Sequence, residues 1–215
     1  MKMDFDVAIF DMDGTLIDSM TFWRLSAIEY LVARGIPVNS DDMANIFARR
    51  CKDIIGTAYA RVGGNVEDLP PLMPDLMKYM ERHYANDVIL KKGAEEYLDK
   101  LKAEGKTLVL ATATPLECGR IGLEHTGIAE KFDLITDTNE VGVGKGDPEF
   151  YYRLTNKLGV APERCVMFED ALYSIRSAKT AGLMAVGVVE PTDVRNEDQI
   201  REMSDLLIKD FTELL

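Results

Sequence analysis

Histidine and cysteine are scarce in this chain of 215 residues, and basic side chains are outnumbered. The two histidines, His83 and His125, stand alone without ligand spacing, so both read as structural or surface residues. Cys51, Cys118 and Cys165 are scattered and odd in number, which excludes a disulfide framework and a zinc site and fits a reduced, intracellular setting. Lys and Arg number 25 against 37 Asp and Glu, a net charge of -12. That balance argues against nucleic acid and against an anionic membrane surface. A small anionic substrate remains open, because a few local cations or a metal reverse the sign inside one pocket. No apolar run approaches the length that spans a bilayer. The opening MKMDFDVAIF carries acids within its apolar run and no small-residue cleavage site, so no secretory leader is expected. The expectation is a soluble, cytoplasmic, monomeric protein.

What is present is a sizeable apolar fraction in an alternating pattern. Short runs rich in Val, Ile, Leu and Phe read as strands at Val7–Phe10, Thr107–Thr112, 133–136, 165–170, 184–189 and 205–208. Helical patterns lie between the later ones, at 94–104, 116–126, Pro148–Leu158 and 172–181, with Gly105, Gly127, Gly159 and Gly182 just past their ends. Strand and helix in alternation predict an α/β fold, a doubly wound, Rossmann-like parallel sheet with helices on both faces. The first strand breaks the rhythm. Between Ser19 and Leu90 no strand pattern appears, only helical segments at 22–35, 40–63 and 72–87. Ser40, Asp41 and Asp42 read as a helix start. An all-α module is therefore expected as an insertion, with residues 1–18 and 91–215 forming the core and residues 19–90 the inserted domain.

The predicted strand ends carry polar chemistry. The first delivers Asp11 and Asp13 in AIFDMDGTLIDS. The second ends in ATAT, with Thr112 and Thr114, and the loop after the third, VGVGKGDPEF, holds Lys145 among glycines. The fourth ends in Glu169 and Asp170. Asp, Gly and Thr also make ordinary turns, so the first motif alone does not decide. In a parallel sheet, however, all these ends share one edge, where ligands bind.

In order and spacing these four motifs resemble the haloacid dehalogenase superfamily of phosphotransferases, in the β-phosphoglucomutase-like branch with a small helical cap. The resemblance implies Asp11 as nucleophile toward phosphorus and Asp13 as acid and base for the alcohol and for water. It implies that Thr112 and the Ala113 N–H, with Thr114 beside them, meet the phosphoryl oxygens, and that Lys145 holds the same oxygens and screens Asp11. Crowded carboxylates repel unless a cation joins them, and oxygen ligands suit Mg2+. Its expected ligands are Asp11, the Asp13 carbonyl, Asp170, and Glu169 directly or through water. Two departures stand out. Gly146 replaces the usual proline after the lysine, which loosens that loop. Ser174 with Ile175 replaces a common Gly-Ile pair, which is expected to affect packing only.

The family hosts several chemistries, so the fold does not settle the reaction. Asp13 argues against carbon–phosphorus bond hydrolysis, despite Lys52 in the inserted module, and against dehalogenation. A mutase relative carries a histidine in its first cap helix where Trp23 stands here, and an indole cannot shuttle a proton. The expected activity is Mg2+-dependent hydrolysis of a small phosphorylated metabolite such as a sugar phosphate. A phosphosugar mutase and a non-catalytic phospho-ligand binder are the alternatives. Arg49, Arg50 and Lys52 are expected to contact substrate from the cap. Phe22, Trp23 and Tyr30 suit either the crevice or a cap core.

Overall fold

The computed structural model describes residues 4–44, 46, 51–69, 71–192 and 196–215. Its strands are β1 (Val7–Phe10), β2 (Ile17–Asp18), β3 (Ile89–Leu90), β4 (Thr107–Thr112), β5 (Leu134–Asp137), β6 (Cys165–Glu169), β7 (Met184–Val188) and β8 (Leu206–Ile208). Its α-helices are α1 (Met20–Ala33), α2 (Ser40–Ala44), α3 (Cys51–Arg61), α4 (Met73–Asn86), α5 (Ala94–Ala103), α6 (Leu116–His125), α7 (Thr138–Val141), α8 (Pro148–Leu158), α9 (Leu172–Thr180) and α10 (Glu197–Met203).

Six strands form one parallel sheet in the order β5-β4-β1-β6-β7-β8. β1 is central because VAIF is apolar at every position, and a central parallel strand is covered on both faces. Alternation divides it. Ala8 and Phe10 face one buried cluster with Leu108, Leu110, Val166 and Phe168, while Val7 and Ile9 face another with Val109, Cys165 and Met167. Phe10 and Phe168 are register partners, and their rings stack at 4.5 Å with planes 9° apart. Full burial of each ring stabilises the fold by about 2–3 kcal/mol. The chain leaves β1 to one side for β4 and returns to the other side for β6, so a crevice opens at the carboxyl end of β1.

The helical insertion is more closely tied to the sheet than its sequence suggests. Tyr30, Leu31, Ile54, Ile55, Ala58 and Leu76 bury one another in a cluster of their own. α4 presents a second stripe, Met77, Met80 and Tyr84, to the main core against α6. Leu76, Met77, Met80 and Tyr84 recur at helical spacing, which gives α4 two buried sides. β3 corrects the expectation of no strand between Ser19 and Leu90, and its partner β2 lies just before that range. They pair antiparallel where the chain enters and leaves the insertion, and Lys91 N donates to Leu16 O at 2.8 Å beside them. The long helix expected over 40–63 is present as α2 and α3, and residues 45 and 47–50 lie outside the described residues. α2 begins as expected, with Asn39 and Asp42 exchanging side-chain-to-backbone hydrogen bonds at 2.9 Å. Among the described residues no helix is long and apolar enough to cross a membrane.

Candidate active site

The site begins where β1 stops. Met12 O accepts from Leu16 N and Ile17 N, and Gly14 N returns to Ile17 O, which closes a tight turn. Gly14 has φ +79, and a Cβ there would lie 2.5 Å from Asp170 Oδ2. Both facts require glycine. The turn brings the Asp13 segment against β6, and Thr15 Oγ1 donates to Asp170 Oδ1 at 3.1 Å.

Asp11, Glu169 and Asp170 each present a carboxylate oxygen, all within 4.8 Å of one another. Lys145 Nζ lies 2.5 Å from Asp11 Oδ1 and 2.6 Å from Glu169 Oε2. The expected loosening by Gly146 is not found. Lys145 is 2% exposed, its carbonyl accepts from Ser177 Oγ, and Asp147 immediately caps α8 by accepting from Glu149 N at 2.9 Å. The helix start and these contacts fix the loop in proline's absence. Burial and the Glu169 carboxylate push the Asp11 carboxyl from 3.8 up to about 8, with Lys145 pulling the other way. Burial, Glu169 and Asp11 likewise push Asp170 well above the usual carboxylate range. Burial works against the Lys145 charge, but Asp11 and Glu169 outweigh it and hold the ammonium well above its usual value.

This donor set fits a hard divalent cation. It is made of carboxylate oxygens with no sulfur or imidazole, which suits Mg2+. Three carboxylates against one ammonium leave two negative charges, the charge such an ion would neutralise.

The Asp13 carboxylate is turned elsewhere. Its Oδ1 accepts from Ser19 Oγ at 2.6 Å and from the Tyr84 phenol, and its Oδ2 accepts from Thr114 Oγ1 at 2.7 Å. The Asp13 side chain therefore stands outside the Asp11, Glu169 and Asp170 group. Thr112 Oγ1 accepts from Thr114 N at 3.0 Å, which leaves the Thr112 hydroxyl proton to donate. Asp11, Asp13, Thr112, Ala113, Thr114, Glu169 and Asp170 all line one cavity of about 520 Å3. Trp23, Met20 and Arg24 of α1 form its opposite wall, with Tyr173 and Arg176 of α9 beside it.

Several expectations need correction. Lys52 is exposed and lines an adjoining apolar recess with Trp23, Cys51 and Leu72, not the cavity above Asp11, because α3 turns it away. Arg49 and Arg50 lie outside the described residues. Tyr30 belongs to the buried cluster of the inserted helices, and Phe22 stacks on His83 at 4.7 Å, so of the three aromatics Trp23 is the one on the cavity. Ser174 does more than pack: its Oγ donates to Glu169 Oε2 at 2.6 Å. Sequence reasoning missed Tyr84 and Arg24. The apolar stripe of α4 signals that Tyr84 is buried but not where its hydroxyl points, and Arg24 belongs to no motif.

A family model described as haloacid dehalogenase-like hydrolase matches residues 5–182. Validoxylamine A 7'-phosphate phosphatase of Streptomyces hygroscopicus subsp. limoneus is 29% identical over 210 residues, covering 98% of this chain and 96% of that protein. Hexitol phosphatase B of Escherichia coli K12 is 26% identical over 215 residues, covering 96% and 93%. Among solved structures, CbbY from Rhodobacter sphaeroides in complex with phosphate superposes with a TM-score of 0.79 at 25% identity, over 98% of this chain and 96% of that one.

Proposed function

The chain belongs to the haloacid dehalogenase-like hydrolases, and we propose that it is a Mg2+-dependent phosphatase of a small phosphorylated carbohydrate or related metabolite. The observation that carries this reading is the Lys145 ammonium bridging Asp11 and Glu169 beside Asp170, at the floor of a cavity of about 520 Å3. Mg2+, held by Asp11, Asp170, Glu169 and the Asp13 carbonyl, would neutralise these carboxylates and the incoming phosphate dianion.

Asp11 attacks phosphorus through a carboxylate oxygen, the bond from phosphorus to the alcohol oxygen breaks, and Asp13 gives that oxygen its proton. Water then attacks the phosphoaspartate and returns a proton to Asp13, releasing phosphate and restoring Asp11. Thr112 and the Ala113 N–H donate to the phosphoryl oxygens, and Lys145 offsets their charge. Residues 19–90 serve as the cap over this edge, contributing Trp23 and Arg24 to the cavity. Hydrolysis is favoured over a mutase because Trp23 stands on the cavity wall at the place of the mutase relative's histidine, and an indole cannot relay a proton.

The test is release of inorganic phosphate with Mg2+ from a panel of sugar and hexitol phosphates and validoxylamine A 7'-phosphate, including both anomers of hexose 1-phosphates. Release that Asp13→Ala abolishes is expected. Conversion of a 1-phosphate to a 6-phosphate without release would replace the phosphatase reading by a mutase. Silence from folded, Mg2+-binding protein would replace it by a phospho-ligand binder.

A further inference from the structure

Behind the reacting edge, two polar side chains that the reaction above does not use continue a chain from its carboxylates. Tyr151 of α8 and Ser174 of α9 are both fully buried. The Tyr151 hydroxyl lies 2.6 Å from Ser174 Oγ, and Ser174 Oγ lies 2.6 Å from Glu169 Oε2. That same Oε2 is 2.6 Å from Lys145 Nζ, which reaches Asp11 Oδ1 at 2.5 Å.

The proton direction along this chain is fixed by donor inventory. A carboxylate only accepts and an ammonium only donates. Ser174 therefore spends its single hydroxyl hydrogen on Glu169. Its oxygen can then only accept from Tyr151, so the order is Tyr151 to Ser174 to Glu169, with Lys145 donating to Glu169 from the other side and to Asp11. Bonds aligned in this way strengthen one another in a poorly solvated interior. Glu169 Oε1 is also held, accepting from Ala171 N at 3.1 Å, so the carboxylate has one orientation. Ser177 ties the two backbones involved, its single hydroxyl hydrogen shared between the carbonyls of Lys145 and Ser174.

We propose that Ser174 and Tyr151 are positioning residues, which fix the Glu169 carboxylate and through it hold the Lys145 ammonium on Asp11. The effect on turnover rests on the phosphatase reading, whereas the effect on metal binding does not. Ser174→Ala removes one oxygen and little volume, so a packing role alone would leave the metal site and the rate unchanged. Removing a partner that orients a metal-site carboxylate typically costs 10- to 100-fold in metal affinity or activity.

Mg2+ affinity is measured by calorimetry, and kcat and KM by phosphate release, for Ser174→Ala, Tyr151→Phe and the double variant. Ser174→Ala is expected to weaken Mg2+ binding about 10-fold and to lower kcat with KM nearly unchanged. Tyr151→Phe shifts both the same way by less. In the double variant Tyr151→Phe adds nothing, because the phenol reaches Glu169 only through Ser174. Mg2+ affinity and kcat within twofold of the unaltered protein in folded Ser174→Ala would overturn the proposal, and additive effects would overturn the relay. Should Ser174→Ala not fold, unchanged Mg2+ affinity and kcat in Tyr151→Phe overturn it instead. If no ester is hydrolysed but Mg2+ binds, the phosphatase reading fails while the titrations still decide the positioning role.

Discussion

Replacing Asp11 by asparagine separates the charge of the site from its shape. In chelator, Asp11 faces the Glu169 and Asp170 carboxylates with the Lys145 ammonium as partial offset. Burial and Glu169 carry the Asp11 carboxyl from 3.8 to about 8. A displacement of that size disfavours the ionised form by roughly 6 kcal/mol, at about 1.4 kcal/mol per pH unit. Relaxation and the effective polarity of real interiors reduce this, and ~2 kcal/mol is the smallest gain expected from removing the charge. The sign follows from proton counting. Between pH 4 and 8, roughly, the folded protein keeps a proton on Asp11 that the unfolded chain has lost. Stability of the unaltered protein therefore falls as pH rises through that window, and Asp11→Asn lacks this slope. The two proteins should converge near pH 4, and the variant should lead by at least ~2 kcal/mol at pH 9. For a chain of this size that is about 4–8 °C in Tm. Mg2+ should reverse the order, because binding stabilises the protein that holds it more tightly. Thermal and urea unfolding followed by circular dichroism, at pH 5 and 9, with chelator and with Mg2+, make the comparison. A variant less stable than the unaltered protein at pH 9 in chelator, or equal pH slopes, would refute the reasoning. The same variant should form no phosphoenzyme.

Mg2+ affinity should rise with pH. Asp11 carries a proton below about 8, and Asp170 is raised as well, so protons must leave when a cation binds and Kd falls by about tenfold or more per pH unit between 6 and 8. Calorimetry in buffers of different ionisation enthalpy should register proton release at pH 7, and a flat Kd over that range counts against the assignment. Tyr84→Phe should cost about 2 kcal/mol of stability, because it deletes a buried donor to a carboxylate. It should leave Mg2+ affinity unchanged, since the Asp13 side chain stands outside the carboxylate group; a weakened Kd would show that Asp13 shares the cation through its side chain.

The core was legible because its strands are buried on both faces. VAIF and TLVLAT are continuous apolar runs, and both strands have the bounds their patterns predict. The helices α5, α6, α8 and α9 fall within one residue of expectation, since amphipathic spacing and the glycines beyond them act locally. β2 and β3 were hidden because two residues carry no period, and their pairing arises only when the two ends of the insertion meet. The residues at the strand ends could be named from motifs, but their supports could not. Ser174 reaches Glu169 only through the packing of α9 on β6, and Tyr84 reaches Asp13 only through the packing of α4 on the core. Lys52 lies away from the cavity for the opposite reason: a local run of charge says nothing about which way its helix faces.

Asp11 and Asp13 are two residues apart, and in a continuing strand both carboxylates would point to one face and crowd the same cation. The chain avoids this by ending β1 at Phe10 and turning through Gly14. Asp11 is thereby left to an ammonium, and Asp13 to the three hydroxyls of Ser19, Tyr84 and Thr114. The difference suits the proposed roles. An ammonium never accepts a proton bond, so it fits a carboxylate that must remain a base toward phosphorus. Hydroxyls reorient between donating and accepting, so they fit a carboxyl that gains and loses a proton in each cycle. Tyr84 belongs to the inserted helices and not to the sheet. The insertion therefore bears on Asp13, the group proposed to handle the proton, while Asp11 and Lys145 are held by the sheet and the loops that leave it.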